Sequence, residues 1–117
     1  MSEQLKHRTK QYSILVLDIV ERLPILTSSK VIAYQIAKSG TSVGANYRAA
    51  CRARSDREFI AKMEIVLEEA DETLYWLELI LAKQWIEKEL LNTAWREGNE
   101  LTAIFVSSLK TVKARLH

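Results

Sequence analysis

Ser39-Gly40-Thr41-Ser42 is the stretch on which the fold turns. Four weak helix formers in a row invite a break, because glycine is flexible and hydroxyl side chains compete for backbone hydrogen bonds. The apolar pattern nevertheless runs straight through them. Ile32, Ile36, Ser39, Val43, Asn46, Ala50 and Ala53 recur at alternating intervals of four and three, the repeat of one helix face. One uninterrupted helix is therefore predicted, from the capping run Thr27-Ser28-Ser29 to about Ala53.

Working outward, Leu5, Tyr12, Leu15, Ile19 and Leu23 share a face, and Pro24 must end it, which predicts a first helix over 3–23. On the other side, Ser55-Asp56-Arg57-Glu58 predicts a capping box, with Ser55 accepting from the amide of Glu58 and Glu58 reaching back to the amide of Ser55. Phe59, Met63, Val66, Ala70, Leu74, Leu77 and Leu81 then carry a third helix to about Lys83. A fourth, over 87–115, carries Leu91, Ala94, Leu101, Phe105, Ser108 and Val112, with Trp85 and Ile86 expected to plug the core from the joint before it. Joints of about 2–6 residues make consecutive helices antiparallel neighbours. The expected fold is all-α, an antiparallel up-down-up-down four-helix bundle spanning 1–117 as a single domain.

Composition excludes the competing classes. Three glycines and one proline in 117 residues cannot supply the turns of a β-sandwich. With 48% hydrophobic and 27% charged residues, the chain has enough apolar side chains to fold without staples. Cys51 is alone, so no intramolecular disulfide forms. Residues 1–11 are polar and lack the apolar segment of a signal peptide, and no apolar run approaches the roughly 20 residues of a membrane span. A cytoplasmic location is expected.

The second helix carries a further stripe, Ala33, Ala37, Gly40, Gly44, Tyr47 and Cys51. Small residues in a row let another backbone approach closely, at a propensity cost of about 1 kcal/mol per glycine. The approaching backbone belongs either to the same bundle or to another subunit. Ser39 and Asn46, polar on an apolar stripe, need partners and are expected to fix register.

Alternating hairpins also gather charge. One end of the bundle collects residues 1–12, 46–64 and 106–117, with eleven Lys and Arg against four Asp and Glu. Helix dipoles explain Lys113 and Arg115 near a C-terminus but not Lys6, Arg8 and Lys10 near an N-terminus. The alternative is a phosphate-binding patch centred on Arg48, Arg52, Arg54 and Arg57, since guanidinium groups pair with phosphates bidentately. A solvated basic end without a ligand also remains open.

A search for chemistry finds little. His7 and His117 are terminal and lack the Glu-x-x-His spacing of bundle metal sites. Glu68, Glu69, Asp71 and Glu72 form an acidic face, Cys51 follows alanines as a small hydrophobe does, and no Gly-rich phosphate loop is present. Tyr75-Trp76 can stack on bases but adjoins core Leu77. No enzyme activity, metal or cofactor is expected.

The stretches Ser39-Gly-Thr-Ser-Val-Gly-Ala-Asn-Tyr-Arg-Ala-Ala50, Phe59-Ile-Ala-Lys-Met-Glu-Ile-Val-Leu-Glu-Glu-Ala70 and Leu74-Tyr-Trp-Leu77 resemble the four-helix-bundle proteins encoded in intervening sequences of bacterial large-subunit rRNA genes. The resemblance covers nearly the whole chain and is most specific at Ser42 and Asn46. It implies a homopentameric ring in which Ser42 and Asn46 are structural polar residues. Its relatives include the accessory protein of diversity-generating retroelements, which works with a reverse transcriptase and binds nucleic acid through a basic surface. By that likeness Arg48, Arg52, Arg54 and Arg57 are candidates for such a surface. The family commonly has an acidic residue near position 49, where this chain has Ala49, so no carboxylate role carries over there. The leading expectation is a homo-oligomeric accessory protein that binds RNA or DNA. The alternative is a scaffold ring that docks a partner protein on its acidic end.

Overall fold

Proline cannot donate to a helix, and the chain leaves α1 (Ser2–Glu21) shortly before Pro24, closing with amides of Arg22 and Leu23 on the carbonyls of Ile19 and Val20. The computed structural model describes residues 2–116, apart from the side chain of Ser2. Three more helices follow: α2 (Thr27–Cys51), α3 (Asp56–Lys83) and α4 (Lys88–Arg115). Each packs on the two beside it in cyclic order, and the α1–α4 seam is the thinnest. The bundle measures 49 × 22 × 21 Å. At 1.5 Å per residue, the 28-residue α3 and α4 run about 42 Å, so α1, with 20 residues, is the short member.

The doubtful stretch is helical throughout. Thr41 donates to the Ala37 carbonyl at 2.7 Å and Ser39 lies 3.4 Å from that of Ile36, so the hydroxyls lean on their own helix instead of opening it. α2 stops two residues short of the expected Ala53, because the amides of Arg52 and Ala53 tighten onto the carbonyls of Ala49 and Ala50. At its start Ser29 does the capping: its Oγ accepts the Leu26 amide at 2.9 Å and bonds to the Pro24 carbonyl. Half of the predicted capping box forms at α3. Ser55 accepts from the Glu58 amide at 3.1 Å, but the Glu58 carboxylate turns towards Arg54, 3.8 Å away.

Side chains from all four helices fill the core; Val16, Ile36, Val66 and Leu101 are wholly buried, and Trp85 and Ile86 pack on the cluster from the α3–α4 joint. On α1 the core position falls to Val16, with Leu15 only half-buried, and Leu81 near the end of α3 is exposed. The reason for Val16 is Gly40. A Cβ there would lie 2.7 Å from Val16 Cγ1, so α1 presses directly on the α2 backbone. Ser13 Oγ bridges the same contact, 3.1 Å from the Thr9 carbonyl and 3.2 Å from that of Gly40. Packing within the chain thus accounts for Gly40 and Gly44 in the small-residue stripe. Among the described residues, no helix is long and apolar enough to cross a membrane.

Candidate nucleic-acid interface

Where α1 and α2 run side by side near one end of the bundle, a groove of 560 Å³ opens to solvent. Lys6, His7 and Lys10 line it from α1, at the three- and four-residue spacing of one helix face, and Arg48 and Arg52 line it from α2. Each pair four apart is separated by about 6 Å along its axis. Ser13, Gly44 and Ala45 form a small-residue floor. A Cβ on Gly44 would come within 3.3 Å of the Thr9 carbonyl oxygen, a tight contact, so glycine eases the close approach there too. Glu3 also reaches the groove and pairs with Lys6 at 3.0 Å. Among the described residues, Lys10, Arg48 and Arg52 have no carboxylate within ion-pair distance.

The other candidate cations behave differently. Arg8 faces α4, where its guanidinium makes two bonds to Glu97, at 2.6 and 3.1 Å, and lies 3.3 Å from Glu100. The bond to Glu97, with the two nearby carboxylates, raises the already high Arg8 pKa against the opposing effect of burial. Lys113 pairs with Glu64 at 3.1 Å, Arg115 with Asp56 at 3.3 Å, and Arg54 stands loosely by Glu58. Arg57 is exposed on the first turn of α3. The basic end therefore holds an open groove with Lys6, Lys10, Arg48 and Arg52, and a rim where Arg8, Lys113 and Arg115 pair with carboxylates while Arg57, Lys62 and Lys110 make no ion pair among the described residues.

The polar residues of α2 find local partners. Thr73 Oγ1 lies 2.8 Å from both Ser39 Oγ and the Glu69 carbonyl, forming a buried hydroxyl link between α2 and α3. Asn46 donates to the Ser42 carbonyl at 3.0 Å within its own helix. Burial, then the charges of Glu72 and Glu68, raises the Glu69 carboxyl, with Lys38 opposing. Two participants escaped the sequence reading. Thr73 interrupts an apolar stripe just as Ser39 does, which is the signal that pairs them. His7 was set aside as terminal, although it stands three residues before Lys10 on the groove face. His117 lies outside the described residues. Among those described, no group of three or more His, Cys, Asp or Glu is placed to hold a metal ion.

Residues 4–107 match the family described as 23S rRNA-intervening sequence protein. The chain belongs to that family. A solved structure from Bacteroides thetaiotaomicron VPI-5482, described as a protein of unknown function from the S23 ribosomal protein family, is similar at 33% sequence identity and a TM-score of 0.83. The likeness covers 90% of this chain and 97% of that one. No curated protein matches. In this member of the intervening-sequence family, all four groove cations fall inside the matched region, whereas Lys110, Lys113 and Arg115 fall beyond it.

Proposed function

We propose that this intervening-sequence protein is a non-catalytic, homo-oligomeric accessory protein that holds a nucleic-acid backbone in the α1–α2 groove. One observation carries the reading: Lys6, Lys10, Arg48 and Arg52 converge on one cleft, and among the described residues Lys10, Arg48 and Arg52 have no carboxylate within ion-pair distance. Holding like charges together in the free protein costs Coulomb energy, which a polyanion relieves. RNA is the ligand to test first, since the family's name associates its members with 23S rRNA.

Exposed apolar residues support self-association. Ile14 and Leu17 continue the α1 face of Lys10, and Tyr34, 67% exposed, continues the α2 face of Arg48 and Arg52. A ring, pentameric as the family resemblance implies, would repeat the groove in every subunit and raise the local potential. Light scattering measures the particle; a monomer at working concentration removes the ring.

The direct test is Lys10→Glu, Arg48→Glu and Arg52→Glu combined, with single-stranded RNA binding followed by fluorescence anisotropy at low salt and helicity by circular dichroism. Binding falls at least a hundredfold with helicity intact. A variant that binds as the parent does removes the groove. A second reading, a scaffold for a partner protein, draws on the α3–α4 groove of 500 Å³, where Glu64, Glu68 and Asp71 surround Leu67 and Leu109. It is favoured if a defined protein, such as a reverse transcriptase, co-purifies after nuclease treatment and is lost on Glu68→Lys with Asp71→Lys.

A further inference from the structure

The two ends of the bundle are finished differently. At the α3–α4 joint the core is closed by Trp85 and Ile86. At the opposite end the corresponding positions are small: Ala50, Cys51, Ala53, Ser55 and Ser108 surround a cavity of 510 Å³. That volume lies within the roughly 300–1,000 Å³ of small-molecule pockets. Its apolar surface comes from Leu5, Tyr47, Phe59 and Val112. The Tyr47 ring packs on Phe105, with centroids 6.0 Å apart, and is almost wholly buried, so Phe59 supplies the accessible aromatic surface. Arg54 and Arg115 also line the cavity, Arg115 tied to the lining carboxylate of Asp56 and Arg54 with its side chain 91% exposed. Ser108 Oγ has no hydrogen-bond partner among the described residues, unlike Thr102 and Thr111 on the same helix, which bond to their own backbone.

This combination selects a ligand class. Asp56 already has Arg115 as its partner, but a purely apolar guest would leave the Ser108 hydroxyl unbonded, and a bare phosphate would leave the half-buried Phe59 ring uncovered. A planar heteroaromatic ring covers Phe59 by a face and reaches the Ser108 hydroxyl by its polar edge, while an attached phosphate meets the exposed guanidinium of Arg54. Position agrees with chemistry. The last turn of α2 and the joint that follows it carry Arg48 and Arg52 into the groove and Cys51 and Arg54 to the cavity, so the two sites share one ridge. We infer that the bundle-end cavity accepts one nucleotide, its base against Phe59 and its phosphate at Arg54, either as a free mononucleotide or as an unstacked residue of a strand in the groove. The inference rests on the groove reading, and adds to it a site that takes a base.

Cys51, the only cysteine, is half-buried in the cavity wall and reports on occupancy. The full-length protein is treated with iodoacetamide alone, with a single-stranded RNA decamer, with inorganic polyphosphate, and with AMP. The decamer slows alkylation of Cys51 at least tenfold, while polyphosphate, which binds the groove but carries no base, leaves the rate within twofold. Protection by AMP as well identifies the free nucleotide as sufficient; protection by the decamer alone identifies the strand. Independently, Ser108→Phe, which fills the cavity from α4, weakens decamer binding at least fivefold and leaves polyphosphate binding unchanged, with circular dichroism confirming the fold. If decamer and polyphosphate both bind and protect Cys51 equally or not at all, or if Ser108→Phe weakens neither, the nucleotide site is overturned and the groove stands. If neither polyanion binds, the groove reading falls, and the nucleotide site falls with it unless AMP protects Cys51.

Discussion

Tyr12 gives the sharpest test of the packing. Its side chain is 1% exposed, and its hydroxyl has no hydrogen-bond partner among the described residues. The hydroxyl lies instead against Gly98, where a Cβ would come within 2.5 Å of the oxygen. A typical buried hydroxyl contributes about 1 kcal/mol through its bond, but one left unbonded forfeits about 1–3 kcal/mol of desolvation. Tyr12→Phe should therefore stabilise the bundle by about 1 kcal/mol and raise Tm by about 4 °C, where a bonded tyrosine would lose a similar amount. Gly98→Ala, in the parent, sets about 1 kcal/mol of helix propensity against an overpacking cost of about 1–3 kcal/mol. With the hydroxyl gone, the nearest remaining atoms are Leu74 Cδ2 at 2.9 Å and the ring carbon Cζ at 3.1 Å, and the leucine can turn aside. Urea denaturation of the parent, both single variants and the double variant should show a favourable coupling of about 1 kcal/mol. Alkaline pH adds a second readout. Burial, helped by the Glu97 charge, raises the Tyr12 phenol above its ordinary 10.0, so the folded chain holds that proton more tightly than the unfolded one. This contribution is intact below pH 10 and is lost as pH climbs towards the folded value, at up to about 1.4 kcal/mol per pH unit. The advantage of Tyr12→Phe thus widens above pH 10. A destabilised Tyr12→Phe, or strict additivity with Gly98→Ala, would refute the geometry.

Three further outcomes follow from the helix contacts. Gly40→Ala sets a methyl group 2.7 Å from the stiff Val16 side chain and should cost about 1–3 kcal/mol in urea denaturation, largely restored by adding Val16→Ala. Arg8→Ala removes charged bonds to Glu97 and should lower stability by about 1 kcal/mol while leaving RNA affinity unchanged, because Arg8 faces away from the groove. RNA affinity should fall about 50-fold between 50 and 200 mM salt for a decamer spanning the four cations of one groove, and Lys10→Glu with Arg48→Glu and Arg52→Glu should remove most of that slope.

The helices were legible because each is long enough for its periodicity to outvote local exceptions. The run from Ser39 to Ser42 is the clearest case. Its propensity argues for a break, and the structure keeps it helical through contacts no local reading contains: Val16 against Gly40, and Thr73 against Ser39. What one sequence leaves open is phase. A repeat of 3.6 residues passes as easily through Leu15 as through Val16, and only the glycine on the partner helix decides for Val16. The small-residue stripe was open in the same way, since a close backbone approach is legible while the identity of the approaching backbone is not.

Phase also explains how far the charged end could be foreseen. Summing charge along the bundle axis gathers the basic residues at one end, because axial position follows from helix order alone. It cannot tell Lys10 from Arg8, which lie at nearly the same height. Two residues apart on a helix means a rotation of about 200°, so one faces the α2 groove and the other α4. Arg8 stands three residues after Leu5 and four before Tyr12, on the shoulder of the core stripe, and a cation there must find a carboxylate or lose hydration without compensation. Lys10 occupies no such shoulder and stays solvated in the groove. A helix of this kind thus carries carboxylate-paired and groove-facing cations side by side, and the distinction lies in their angle to the core stripe, which the sequence contains, together with the identity of the neighbouring helix, which it does not.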